Sequence, residues 1–183
     1  RCRKNPGGQQ NSMTAENKAA PDFILFTDGS GYKDGYSGWA CRVRSPNGKL
    51  DMFRMGCVMG STVDRMELTA IVEGLQAVLE MTIGERGGYL GKDMRPAVCL
   101  YSDRENLVLS IKGVYDRSNA PDLWARFAFY ERYMDVDANH VARETDYPEF
   151  MQVDLHASTG RIIVKQYGES IKVPSHLAEE CRT

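Results

Sequence analysis

The feature that most constrains this chain is a helix of about twenty residues set between two kinds of strand. Before it come three β-type stretches joined by short links. Phe23-Ile-Leu-Phe-Thr27 is apolar and rich in β-forming residues, and Asp28-Gly-Ser-Gly31 stops it in a turn. Tyr36 to Val43 and Leu50 to Met59 follow, separated by the turn signal Ser45-Pro-Asn-Gly48. Links this short make an antiparallel meander. Ser61 or Thr62 can cap the helix, which runs to about Met81. Val98-Cys-Leu-Tyr101 is then unbroken in apolar character, the pattern of a strand buried on both faces. A helical crossover after a meander returns the chain parallel to an earlier strand.

A Gly-rich loop, Gly84 to Gly91, links the helix to that strand. Beyond it, Asn106 to Lys112 reads as a short helix. Pro121 to Tyr133 reads as another, with Leu123, Trp124, Phe127 and Tyr130 as its apolar stripe. Val136 to Val141 reads as a fifth strand and Glu149 to Ser158 as a closing helix. The order β-β-β-α-β-α-α-β-α predicts a mixed, five-stranded α/β sheet flanked by helices. Residues 1–22 are polar and read as a flexible tail, 23–158 as the domain, and 159–183 as an extension. The alternating run Ile162 to Tyr167 fits either an added strand or an arm.

A net charge of −2 excludes a broadly basic nucleic-acid binder, so any such binding needs a local patch or bound cations. The five cysteines are scattered without a CxxC pair, which argues against a zinc site or a disulfide framework. Cys41 and Cys99 lie in apolar runs and read as small buried thiols. A reducing, cytoplasmic location is the plain expectation. No apolar run approaches the roughly 20 residues of a membrane span, and the polar N-terminal residues carry no signal-peptide pattern.

The chemistry lies in carboxylates placed where a core should be. On a wheel at about 100° per residue, Arg65, Thr69, Glu73, Gln76 and Glu80 share a solvated side of the long helix. Val63, Ala70, Ile71, Gly74, Leu75, Val78 and Leu79 fill the opposite arc, and Glu67 falls near its middle. A charge facing a core costs several kcal/mol without compensation. Either an arginine pairs with Glu67, or the side chain tilts to the rim, or it holds a ligand. Asp28 shares the Ile24 and Phe26 face of its strand, although Asp-Gly is also a common turn pair. Asp103 follows the buried strand, where ligands of open α/β sheets gather; it or Ser102 could equally cap the next helix. Asp154 shares a stripe with Phe150, Val153 and Ala157, or sits at an exposed edge. Brought together, four such carboxylates would repel one another unless divalent cations held them, and hard oxygen donors suit Mg²⁺ or Mn²⁺.

In this order the residues resemble type 1 ribonuclease H. Phe26-Thr-Asp-Gly-Ser30 looks like the family's first-strand motif, Arg65-Met-Glu-Leu-Thr-Ala70 like its first-helix motif, and Tyr101-Ser-Asp-Arg104 like its fourth-strand motif. Asp122-Leu-Trp124 is similar to a structural segment of the family. Asn139-His140 and Gln152-Val-Asp154 look like its histidine loop and last aspartate. The match covers about Phe23 to Ser158.

The resemblance implies the ribonuclease H-like fold. It also implies an endonuclease that hydrolyses the RNA strand of RNA–DNA hybrids with two Mg²⁺ ions, leaving 5′-phosphate and 3′-hydroxyl ends. Asp28 would bridge both ions, Asp154 complete the one that activates water, and Glu67 and Asp103 hold the one beside the leaving 3′ oxygen. His140 would assist with water or product release. Gly29, Ser30 and Gly31 would approach a phosphate closely, and Arg65, Arg104, Lys112 and Arg117 are candidate phosphate contacts. Tyr32, Tyr36 and Trp39 are candidates for sugar contacts, or core aromatics. Only Val114 to Ala120 stands where some members carry a basic helical handle, so affinity would be weak or supplied by a protein partner or a larger parent polypeptide. Three alternatives stay open: the nuclease domain of a reverse transcriptase, a binding or scaffold module without cleavage, and another nuclease or strand-transfer enzyme of the superfamily.

Overall fold

The computed structural model describes residues 20–31, 35–85, 95–142, 146–167 and 171–173. Tyr32, most of the Gly-rich loop, most of the N-terminal tail and the last ten residues lie outside them.

Strands β1 (Phe23–Gly31), β2 (Tyr36–Arg44) and β3 (Asp51–Met59) form the antiparallel meander. Helix α1 (Val63–Glu85) crosses to β4 (Ala97–Ser102), which pairs parallel to β1. Helices α2 (Glu105–Ile111) and α3 (Pro121–Tyr130) lead to β5 (Asp135–His140), parallel to β4. Helix α4 (Pro148–Tyr167) closes the fold, and a short β6 (Ile171–Val173) adds to the free edge of β3. The sheet order is β5-β4-β1-β2-β3-β6. The five expected strands thus form the mixed sheet, and the C-terminal extension contributes the sixth.

The period of two along β1 separates two cores. Leu25 packs with Ile71, Leu75, Val78, Trp124 and Phe127 on the face covered by α1 and α3. Phe26 packs with Phe53, Phe150, Val153 and Ala157 on the face covered by α4. That second helix sits close because Gly38 lacks a side chain: a Cβ there would collide with the Ala157 carbonyl oxygen. The expected stripe Leu123, Trp124, Phe127 and Tyr130 is buried.

Four expectations change. The first strand does not stop at Asp28. It continues to Gly31, with Asp28 opposite Ala40 and Gly29 opposite Trp39, because β2 is long enough to pair with it. Strand β4 is covered fully on one face only, since α4 lies over β1, β2 and β3; Cys99 and Tyr101 are therefore half-buried while Cys41 is fully buried. The closing helix runs to Tyr167, not Ser158, and absorbs the run Ile162 to Tyr167, whose Val164 faces the sheet. Glu73, expected in solvent, is buried because α3 packs over that flank and Arg126 reaches it at 3.2 Å.

Candidate active site

The site forms where two parallel strands part. The ladder between β1 and β4 ends at Phe26 opposite Tyr101. Beyond it β1 continues with β2, and β4 ends at Ser102 and turns toward α2. This leaves a crevice at the carboxyl end of β4, the position where open α/β sheets bind ligands. Asp28 enters it from β1 and Asp103 from the end of β4. Glu67 enters from α1, and Gly29 makes that possible. A Cβ at Gly29 would strike the backbone of Met66 and Glu67, so only glycine lets α1 lie this near the sheet. The close approach that Gly29 permits is therefore that of a helix. Gly31 likewise faces Val63.

Asp28, Glu67 and Asp103 bring one carboxylate oxygen each within 4.8 Å of one another. Asp28 is 5% exposed and Glu67 1%. Glu67 Oε1 accepts from Arg104 Nε at 3.3 Å, so the arginine pairing left open by the sequence is realised for one oxygen. Glu67 Oε2 and Asp103 Oδ1 are buried with no hydrogen-bond partner among the described residues. Asp103 does not cap α2, which begins without a side-chain cap. Burial pushes the Glu67 carboxyl well above the ordinary range, and Asp28 and Asp103 push it further while Arg104 opposes them. Burial raises Asp103 too, with Arg104 pulling down and Asp154 adding to the rise. Buried carboxylate oxygens without donors, at this spacing, fit a hard divalent cation better than any apolar or neutral occupant.

The other expected residues fall at different distances. Asp154 projects from α4 between buried Val153 and the rim; it lies outside the tight trio but close enough to act on Asp103. His140 ends β5, exposed, with its Nε2 3.0 Å from the Asp103 carbonyl oxygen. Arg65 makes a two-pronged pair with Asp122, one prong at 2.9 Å, and so ties α1 to α3. Arg117 is a structural clamp: it grips Glu131 at 2.7 and 2.9 Å, donates to the Ser110 and Ile111 carbonyls, and stacks over Trp124 and Phe127. Trp39 is a core residue against Gly56. Tyr36 opens β2 opposite Met59, with Lys165 over its ring.

Beside the trio lies a cavity of about 660 Å³ between the start of α1, α2 and the segment before α3. Arg65, Asp103 and Arg104 line it, together with Asp64, Asn106, Asp116 and Asn119, which the sequence reading did not single out. Polar residues in loops and first turns carry no periodic signal that could have marked them.

No family model matches the chain, and no curated protein matches it in sequence. Solved structures do. The N-terminal ribonuclease H domain of rv2228c from Mycobacterium tuberculosis superposes with a TM-score of 0.65 at 13% identity, over 82% of this chain and 100% of that one. The fold is that of type 1 ribonuclease H. Ribonuclease H1 from the archaeon Halobacterium salinarum gives a TM-score of 0.57 at 18% identity, over 75% and 96% of the two chains. LC11 ribonuclease H1, solved in complex with an RNA/DNA hybrid, gives 0.57 at 19%, over 75% and 97%. The ribonuclease H-like fold explains why the crevice sits at the end of β4 and why α4 stands across the sheet from α1. No helix among the described residues is long and apolar enough to cross a membrane.

Proposed function

We propose that this chain is a divalent-metal-dependent endoribonuclease that hydrolyses the RNA strand of RNA–DNA hybrids, leaving 5′-phosphate and 3′-hydroxyl ends. The observation that carries the reading is the convergence of Asp28, Glu67 and Asp103 with two buried carboxylate oxygens that lack a donor among the described residues. An inert fold has no use for so costly a cluster. The solved complex of LC11 ribonuclease H1 with a hybrid supports the substrate class.

Asp28, Glu67 and Asp103 would hold the metal, with Asp154 facing them from α4. Two Mg²⁺ ions, or Mn²⁺ in their place, would supply positive charge to the phosphoryl group and ease deprotonation of water. Glu67, locked by burial and by the packing of α1 on Gly29, fixes the depth of the site. Asp103 closes its inner wall, and His140, held at the Asp103 carbonyl, stands at the mouth where it can carry a proton or help release product. Ser30 on the rim and the arginines on the cavity wall face the approaching backbone. Recognition of the hybrid rests on 2′-hydroxyls and duplex shape.

The test is incubation with labelled hybrid, duplex RNA and duplex DNA, each with Mg²⁺ or EDTA. RNA in the hybrid should be cut, in Mg²⁺ only. Binding of the hybrid without cutting would support a scaffold module instead, and cutting of duplex DNA would indicate another nuclease of the superfamily.

A further inference from the structure

Arg104 follows Asp103 directly, and its guanidinium Nε reaches inward to Glu67. The side chain is 41% exposed, yet it reaches a glutamate that is 1% exposed. Asp103 and Asp64 flank the guanidinium and add to its attraction. Of the other arginine–carboxylate pairs on α1, Arg65 with Asp122 and Arg126 with Glu73 fasten it to α3, and Arg54 with Glu80 fastens it to β3. This one instead places a fixed positive charge against the carboxylate trio. It satisfies one oxygen of Glu67 and leaves Glu67 Oε2 and Asp103 Oδ1 without donors among the described residues. It neutralises the cluster in part and cannot complete it.

A divalent cation drawn to the same oxygens meets that charge at close range. Two positive groups within a few ångströms of one carboxylate repel each other, and burial of the shared Glu67 carboxylate reduces the screening between them. We propose that Arg104 is a resident counter-ion of the cluster, that a divalent cation displaces it from Glu67, and that this competition sets the metal affinity of the site. The proposal rests on the nuclease reading and adds to it a regulation: the ion requirement is higher than these carboxylates alone would give. The half-exposed position on the cavity wall leaves the guanidinium room to move aside.

The experiment is calorimetric titration of the full chain with Mn²⁺, without nucleic acid, with every variant compared at the same pH. Arg104→Met and Arg104→Gln should bind Mn²⁺ on the order of tenfold more tightly than the wild type, the value of one charge-assisted hydrogen bond. Arg104→Lys keeps the charge and should stay near the wild-type affinity. In EDTA the Met variant should also melt at a lower temperature, because Glu67 loses its only donor among the described residues. Met and Gln variants that bind Mn²⁺ no more tightly than the wild type would overturn the proposal while leaving the nuclease reading intact. Failure of every protein, wild type included, to bind Mn²⁺ would strike the nuclease reading itself.

Discussion

Glu67 and Asp103 differ in what their removal should do. Asp103→Asn takes a charge from the crevice wall and should lower hybrid cleavage by more than about a hundredfold, since even groups that merely orient metal ligands are worth 10- to 100-fold. Its circular dichroism should stay native; cleavage at the wild-type rate would rule out the proposed site. Glu67→Gln should also abolish cleavage, but it relieves a buried charge. In EDTA it should stabilise the fold by about 1 kcal/mol, a Tm rise of roughly 2–4 °C. The pH dependence has a definite sign. The folded Glu67 carboxyl is held well above the ordinary carboxylate value by burial and by Asp28 and Asp103. The metal-free protein gains stability from it below that ordinary value and loses it as pH rises toward the folded value. Melting curves in EDTA should show this decline for the wild type and a flatter profile for Glu67→Gln. At this scale the sequence was informative, because a glutamate in an apolar arc is visible on a helical wheel. The role of Arg104 was not, since an arginine after a strand reads equally as a surface charge.

The elements place these residues by close approach rather than by hydrogen bonding. Gly29→Ala should push α1 from β1, cost at least about 2 kcal/mol through overpacking, and weaken Mn²⁺ binding together with stability. A variant with native Tm and metal affinity would show that this contact does not position Glu67. Arg117→Lys should cost about 1–2 kcal/mol, because lysine cannot reproduce a planar fork that grips Glu131 and stacks on two rings. Chemical denaturation measures it, and catalysis per folded molecule should be unchanged. Element types and order were legible from period and turn signals. Their ends were not: Asp28-Gly29 looked like a turn because local propensity ignores the pairing that β2 offers, and α4 outran Ser158 because Gly160 packs beneath its axis against Gly56 instead of ending it.

For the whole molecule, five strands and the crossover were readable because connection length and hydrophobic period limit the topologies a chain can adopt. The sixth strand was hidden because its three paired residues, Ile171-Lys172-Val173, alternate correctly but are too few to stand out from a tail. The low net charge and the absent basic handle set a further expectation. Hybrid binding should show a log–log salt slope no steeper than about −3, and a steeper one would reveal a basic surface. Saturating Mg²⁺, at about 100 times its dissociation constant, should add roughly 2.7 kcal/mol to stability. The convergence of carboxylates from β1, α1 and β4 on one metal position is tested most directly by anomalous diffraction from crystals soaked in Mn²⁺. A peak bonded to oxygens of Asp28, Glu67 and Asp103, with Arg104 turned off Glu67, is the expected result. Crystals that take up Mn²⁺ only elsewhere, with Arg104 still on Glu67, would contradict it.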